Sequence, residues 1–230
     1  MDTVLILDTE TTGLDPSTGQ CIEVAIVRYS IQAHAVLDSV SWLLHAESNP
    51  AEHINHIPAS ILLDADSPAV VWPEVSGIAM SCDAVLAHNA DFDRQWVESK
   101  ELLAHPWIDT CHAVDWPMQS KPGSSLITLA LDHGLAVVDP HRALSDCLLL
   151  ARLLSRVAEL GHDVSAILER GLRPTATFQA LVTYDQRQAA KDAGFHWEAP
   201  KKQWLRKIED AKLLPFRVAN LDEGMLKGTL

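Results

Sequence analysis

The sequence has no long hydrophobic run, few cysteines and little positive charge. No apolar stretch approaches the ~18 residues that a membrane span needs, and no basic segment precedes an apolar one at the N-terminus. We therefore expect neither a membrane span nor a signal peptide. The four cysteines, at positions 21, 82, 111 and 147, form no CxxC pair. This pattern is typical of reduced, mostly buried thiols in a cytoplasmic protein.

Positive charge is scarce overall but is concentrated in one segment. The chain has 18 Lys and Arg against 31 Asp and Glu, a net charge of −13, which argues against a protein that coats nucleic acid. Residues 1–169 carry −17, whereas residues 170–217 carry +5. This contrast predicts two units with different roles: a domain over 1–170 and a small basic module over 175–217, followed by a tail over 218–230.

The hydrophobic pattern predicts a mixed α/β fold. "TVLILD" reads as a central strand that is buried on both faces, and "CIEVAIVRYS" and "AVLDSVSWLLH" complete a meander. Alternating helices and strands follow, with helices predicted over 69–81, 90–103, 125–135 and 141–161. In the module we predict a strand in "FQALVTY", a helix in "DQRQAAKDAGF" and a hairpin in "HWEAPKKQWLRKI", hence a small α+β unit.

The first strand ends in two acids, Asp8 and Glu10. Alternate residues of a strand face the same side, so the two carboxylates point together. One interpretation is that the strand ends at Asp8 and that Glu10 is solvated in the turn. The other is a divalent-cation site, where hard oxygen ligands cluster and the cation removes their repulsion.

Two later segments offer further ligands for such a site. "AHNADFD" ends a short strand and begins a helix, so Asp93 is expected at the carboxyl edge of the sheet, while Asn89 or Asp91 caps the helix. "DPHRALSD" places His141 five residues before Asp146. At ~100° per residue, two residues that are five positions apart do not lie on the same face of a helix. His141 is therefore expected before or at the helix start. A surface or capping role for His141 remains the alternative.

These motifs, in this order, resemble the DEDD exonuclease superfamily in its His-containing (DEDDh) branch, and most nearly the proofreading epsilon subunit of bacterial DNA polymerase III. The likeness covers roughly residues 3–160. It is carried by "DTETTGLD", "AHNADFD" and H-x-x-x-x-D, with "INHIPASIL", "WIDTCHAV" and "SSLITLALDHGL" between them. It implies an RNase H-like fold, with a mixed five-stranded sheet flanked by helices.

The resemblance also implies metal-dependent 3′-to-5′ hydrolysis of nucleic acid with two Mg²⁺ or Mn²⁺ ions. Asp8, Glu10 and Asp146 would hold the first metal, Asp8 would bridge to the second, and Asp93 would orient a water on it. His141 would act as general base, with an ordinary pKa near ~6.5. Two cations ~3.5–4 Å apart suit phosphodiester hydrolysis independently of the resemblance, and a carboxylate set suits Mg²⁺ or Mn²⁺ better than Zn²⁺.

The resemblance also implies contacts with the substrate. By similarity Thr11, Thr12 and Leu14 would contact the terminal sugar and wedge against the last base; alternatively they only form the turn. Asn89 would contact the scissile phosphate or only cap the helix.

The C-terminal segment resembles a short module appended to bacterial nucleic-acid and helicase-like proteins. Lys191, Gly194, Trp197, Lys202 and Trp204 carry that likeness. Lys202 and Trp204 would bind nucleic acid through phosphate contact and base stacking. The alternative is that the two tryptophans form the core of the module.

Three functions therefore remain open from the sequence. The first is an exonuclease on single-stranded 3′ ends that releases nucleoside 5′-monophosphates, with DNA favoured over RNA by the epsilon likeness. The second is a ribonuclease that trims RNA ends or short oligonucleotides. The third is a non-catalytic adaptor that binds nucleic-acid ends. A polymerase or repair partner would fit the first function, although no interface for one is visible in the sequence.

Overall fold

A computed structural model describes residues 1–137, 142–199, 201–208 and 214–222 of the chain. The larger unit is built on a five-stranded sheet in the order β3-β2-β1-β4-β5. Its strands are β1 (Thr3–Thr11), β2 (Cys21–Ser30), β3 (Ala35–Leu43), β4 (Ala84–Ala87) and β5 (Trp107–Asp109). The first three strands are antiparallel, and β4 and β5 run parallel to β1. The predicted meander and mixed sheet are thus confirmed.

Helices cover both faces of this sheet. They are α1 (Glu52–Asn55), α2 (Ala59–Leu62), α3 (Pro68–Ala79), α4 (Ala90–Arg94), α5 (Lys100–Ala104), α6 (Leu126–Asp132), α7 (Ala143–Glu159) and α8 (Val164–Gly171). Val4 and Ile6 of β1 pack into the core on the α7 side, whereas Leu5 and Leu7 pack into the core on the α3 side. The uninterrupted apolar run of β1 therefore follows from burial on both faces.

The predicted helix over 90–103 is wrong as a single element. It divides into α4 and α5, with a non-helical connection between them. The side chain of Ser99 accepts a hydrogen bond from the backbone N–H of Leu102 and so begins a new helix. Trp96 and Val97, which lie within the predicted helix, are buried in the connection instead. Their apolar character reflects burial rather than helical periodicity.

The C-terminal unit is a four-stranded antiparallel sheet with one helix. Its order is β7-β8-β6-β9, with strands β6 (Ala176–Ala180), β7 (His196–Glu198), β8 (Gln203–Ile208) and β9 (Val218–Asn220), and with α9 (Arg187–Asp192) after a 3₁₀ turn. The predicted strand, helix and hairpin are present. Strand β9 was not predicted: it lies in the segment assigned to the tail and pairs with β6.

The cysteines agree with the expectation of free, mostly buried thiols. All four cysteines are free; Cys21 is partly exposed and the other three are buried. Among the residues that the structure describes, every helix is too short or too polar to traverse a lipid bilayer.

Candidate functional site

Three predicted acids meet at the end of β1. Asp8 and Glu10 continue the row of β1 side chains, through Val4 and Ile6, that faces α7. Asp146 lies in the first turn of α7 and therefore opposes them. One carboxylate oxygen from each of Asp8, Glu10 and Asp146 lies within 4.8 Å of the other two, and all three side chains are partly accessible. The contiguous strand and the packed helix thus bring together residues more than 130 positions apart.

Asp93 lies beside this cluster. It is only 2% exposed and sits on α4, which begins just after β4 at the carboxyl edge of the sheet. Thr9 donates hydrogen bonds from its backbone N–H and its hydroxyl to Asp93 Oδ1, at 3.1 and 2.9 Å. These bonds fix the Asp93 carboxylate against β1. All four predicted acids therefore converge.

The clustered acids are electrostatically frustrated in the metal-free protein. Burial, followed by the charges of Asp93 and Asp146, raises the pKa of Asp8 well above its ordinary value. Burial and the charge of Glu23 raise the pKa of Glu10 to about 8. Burial raises the pKa of Asp93 to about 7, even though the Thr9 hydrogen bonds oppose that shift. Ionising the cluster is therefore costly unless a positive charge compensates it.

This donor set fits divalent cations. The cluster offers only carboxylate oxygens, which are the ligands that Mg²⁺ and Mn²⁺ prefer. Among the described residues it is the one group of three or more His, Cys, Asp or Glu with this geometry. The pKa values of these carboxyl groups are raised, and a bound cation would lower them by stabilising the ionised carboxylates.

The stability of the metal-free protein should fall as the pH rises from about 5 to 8. A glutamate carboxyl titrates near ~4.3 when unfolded, whereas the pKa of Glu10 in the folded protein is about 8. Between these values the folded state binds more protons than the unfolded state, so raising the pH favours unfolding. In EDTA at pH 8 we expect Glu10→Gln to raise Tm by at least about 2–4 °C.

Thermal unfolding at pH 5 and pH 8 measures both effects, with Glu74→Gln on the exposed face of α3 as the matched control. The control should follow the wild-type curve, and Mn²⁺ should raise the wild-type Tm at pH 8 by binding the folded state. A lower Tm for Glu10→Gln than for the wild type in EDTA would contradict the interpretation.

An ion pair between a buried glutamate and a partly exposed arginine anchors the start of α7. Glu23, 1% exposed, accepts hydrogen bonds from Arg142 Nε and Nη2, each at 3.0 Å, and from the backbone N–H of Ala143 at 3.3 Å. Ser41 Oγ donates a further bond at 2.7 Å. Glu23 thus holds in place the helix that carries Asp146. The proposed base, His141, precedes Arg142 and lies outside the described residues.

The sequence reasoning missed Glu23, although a signal was present. Glu23 is an acid within the apolar β2 strand, two residues before Ala25, on the row that faces α7. It is also the register partner of Glu10. An acid on an inward-facing row needs a cationic partner when it is buried, and here Arg142 supplies it.

The residues after Glu10 are largely engaged in the turn. Thr11 donates its hydroxyl to the carbonyl of Gly13 at 2.7 Å, and the Thr12 hydroxyl accepts the backbone N–H of Gln20 at 2.9 Å. Leu14 is 83% exposed. The two threonine hydroxyls therefore have a structural partner, whereas the apolar Leu14 side chain is free to contact a ligand. The substrate role of all three stays a prediction.

Asn89 occupies the N-cap position of α4, but its side chain makes no capping hydrogen bond. Its backbone is left-handed, with φ of 77°, and its N–H donates to Asp109 Oδ1 at 3.1 Å. Asp91 does not cap either: it forms an ion pair with Lys207 of the C-terminal unit. The expectation of a side-chain cap at one of these residues is wrong, because Asp109 satisfies the N–H of Asn89 and Lys207 engages Asp91.

The two residues of the module that are predicted to bind nucleic acid, Lys202 and Trp204, differ in solvent accessibility. Lys202 is exposed in the β7–β8 turn, with a left-handed φ of 53°. Trp204 is partly buried against the core formed by Ala180, Ala190 and Phe195. Its cross-strand partner Trp197 is 48% exposed. Trp204 is thus partly a core residue, and Trp197 presents the more accessible ring.

Two known families match the two units separately, and the relatives below match a single stretch of the chain. The family described as Exonuclease matches residues 5–154, and a domain of unknown function, DUF8626, matches residues 176–221. A DNA polymerase III PolC-type protein from Thermotoga maritima is 31% identical over 167 residues, 69% of this chain but only 12% of the relative. A DNA polymerase III subunit epsilon from Treponema pallidum is 29% identical over 151 residues, 60% of this chain and 68% of the relative.

Solved structures share the fold. Exonuclease X in complex with 5′ overhanging duplex DNA aligns with a TM-score of 0.57 and 27% identity, over 73% of this chain and 99% of that chain. The nuclease domain of 3′hExo, a DEDDh family member bound to rAMP, aligns over 70% of this chain and 94% of that chain, with a TM-score of 0.58 and 18% identity. With the acid cluster at the end of β1 and the family match over 5–154, the chain belongs to the Exonuclease family and is homologous to the DNA polymerase III epsilon and PolC proteins.

Proposed function

We propose that this protein is a divalent-cation-dependent 3′-to-5′ exonuclease that hydrolyses phosphodiester bonds at the 3′ ends of single-stranded nucleic acid, preferably DNA, and releases nucleoside 5′-monophosphates. The observation that carries the proposal is the convergence of Asp8, Glu10 and Asp146 within 4.8 Å, beside the buried Asp93, in a chain of the Exonuclease family.

The four acids would bind the cations in different ways. Asp8, Glu10 and Asp146 would bind the first ion, Asp8 would bridge to a second, and Asp93 would orient a water beside it. Bound Mg²⁺ or Mn²⁺ supplies a more acidic water and stabilises the charge that develops on the leaving oxygen. Asp93 suits an orienting role because Thr9 fixes its carboxylate with two hydrogen bonds.

His141 would accept the proton of the attacking water. Its neighbour Arg142 is held by two hydrogen bonds to the buried Glu23, so the chain is anchored directly after the proposed base. An imidazole with an ordinary pKa near ~6.5 is mostly neutral above pH 7 and can then take up a proton.

Leu14 is the best-supported of the substrate contacts. Its 83% exposed side chain, four residues after Glu10, is suited to wedge against the terminal base. The relatives support a nucleic-acid substrate: Exonuclease X is described in complex with duplex DNA, and 3′hExo is described bound to rAMP. The relatives that are named as DNA polymerase III proteins make a polymerase a candidate partner.

A time course on 5′-labelled single-stranded DNA and RNA of one sequence tests the proposal, with Mg²⁺, Mn²⁺ or EDTA. We expect a ladder that shortens from the 3′ end, with faster loss of DNA and none in EDTA. Faster loss of RNA would replace the DNA preference with the ribonuclease alternative. Binding of both strands without shortening in either metal would overturn the exonuclease and support the adaptor.

A further inference from the structure

The C-terminal unit carries a cavity that shares no residue with the acid cluster. Its volume is about 800 Å³, and its lining includes Tyr184, Arg187, Lys191, Trp197, Lys202 and Trp204. Three aromatic rings and three cations thus line one depression. This combination is suited to a ligand with flat apolar rings and negative charges.

The aromatic rings of this cavity remain accessible. Trp197 stacks at a tilt on Trp204, with ring centroids 5.4 Å apart and an interplanar angle of 55°, yet Trp197 stays 48% exposed. Tyr184 is 77% exposed. Large exposed aromatic rings in a small unit leave apolar surface in water, which a stacked base would cover.

The cations flank these rings. The Arg187 guanidinium lies 3.7 Å from the Tyr184 ring centroid, and the Lys191 ammonium lies 5.8 Å from that of Trp204. Positive charge therefore lies over the faces of Tyr184 and Trp204, and the exposed Trp197 packs against Trp204 beside it. The segment 170–217 carries +5 in a chain of −13, which favours a polyanionic ligand.

Strand β8 lies between this cavity and the larger unit. Lys202 and Trp204 line the cavity, with Trp204 on the face of β8 that α9 covers, whereas Lys207, on the opposite face, pairs with Asp91 on α4, the helix that carries Asp93. A further cavity of about 740 Å³, which includes Asn89 and Lys207, lies between the two units on that opposite face. At ~3.3 Å per residue, the six residues of β8 span only about 20 Å.

We propose that the Trp197 cavity is a second binding site for single-stranded nucleic acid, which holds the strand by base stacking and phosphate contact while its 3′ end reaches the acid cluster of the larger unit. The inference rests on the proposed function, because the bound strand is the substrate of the acid cluster. Trp197 is the stacking surface, and Lys191 contacts a phosphate group.

Binding is best measured in EDTA, where no strand is cleaved, by fluorescence anisotropy of the full chain with a labelled 15-nucleotide oligo-dT and with an abasic strand of equal length. We expect Trp197→Ala to weaken binding of oligo-dT about 5- to 150-fold, the range for one stacked base, with little effect on the abasic strand. Trp197→Phe keeps an aromatic face and should retain most of the affinity.

Lys191→Glu should weaken binding of both strands and lower the slope of log affinity against log salt by about 0.7, the contribution of one phosphate contact to a single strand. Lys100→Glu, an equal charge change on the exposed surface of α5, is the matched control and should leave the Trp197-dependent binding intact. Trp197→Ala binding within twofold of the wild type, or an equal loss on the abasic strand, would overturn the inference.

A separate measurement distinguishes this inference from the proposed function. Hydrolysis of a dinucleotide by the wild-type protein with Mn²⁺ tests the acid cluster alone, because so short a substrate does not reach both sites. If the dinucleotide is not hydrolysed and longer strands are not shortened in either metal, while binding depends on Trp197, the exonuclease is contradicted and the second site is supported. If the dinucleotide is hydrolysed but oligo-dT binding is the same in Trp197→Ala as in the wild type, the second site is contradicted.

Discussion

Replacing Asp8 with asparagine is expected to abolish cation binding and nearly all hydrolysis. Asp8 is the acid whose pKa responds to all of Asp93, Asp146 and Glu10, so its carboxylate lies at the electrostatic centre of the cluster. Asparagine keeps the shape of the side chain but removes the negative charge that would hold divalent cations at this position. We expect the rate to fall by more than about 10³-fold, beyond the 10²–10³ lost with a single oxyanion donor.

Titration calorimetry with Mn²⁺ and the time course on 5′-labelled DNA measure the two losses in Asp8→Asn. The matched control is Asp38→Asn, which removes an exposed carboxylate paired with Arg28 on the outer strand of the same sheet. Exposed pairs contribute little to stability, so this control should bind Mn²⁺ and hydrolyse DNA as the wild type does. Retention of a tenth of the activity in Asp8→Asn would refute its bridging role.

Replacing His141 with alanine is expected to lower the hydrolysis rate about 10²- to 10⁴-fold, the contribution of a positioned general base. The change should spare cation binding, because the acids that would hold the ions are all retained. In the wild type the rate should rise with pH through the histidine pKa, near ~6.5, since only the neutral imidazole accepts a proton. His141→Ala should lose that inflection.

The pH profile separates a base from a residue that only shapes the site. His162→Ala is the matched control, because His162 is exposed just beyond the C-terminal end of α7. Its variant should keep both the rate and the inflection. A His141→Ala enzyme that is slower but retains the wild-type inflection would show that another group takes the proton.

Several features of the fold and the site followed from the sequence alone. The apolar run before Asp8 required a strand buried on both faces, and the alternation of a strand required Asp8 and Glu10 to share one side. The apolar stripe of the helix over 141–161 required its inner face to meet the sheet, and Asp146 lies beside that stripe. Local periodicity determines such features, because each needs only neighbours within a few residues.

Only the tertiary structure decided the features that depend on distant partners. Ser76 accepts a hydrogen bond from Ser99, whose side chain begins α5 where the sequence suggested one continuous helix. Glu23 became an anchor for α7 because Arg142, 119 residues later, reaches it. Likewise, the more accessible tryptophan of this pair is Trp197, because it lies on the edge strand β7, whereas Trp204 lies on the inner strand β8 and packs against the core that includes Ala190 of α9.

The same division holds for the binding surfaces of the molecule. The sequence determined that acids gather at one strand end and that the C-terminal segment is basic. It did not determine that β8 would lie beside α4 or that β9 would close the edge next to β6. Pairing between distant segments depends on which surfaces remain to be buried once each element has formed, and that is a property of the folded chain rather than of any local pattern.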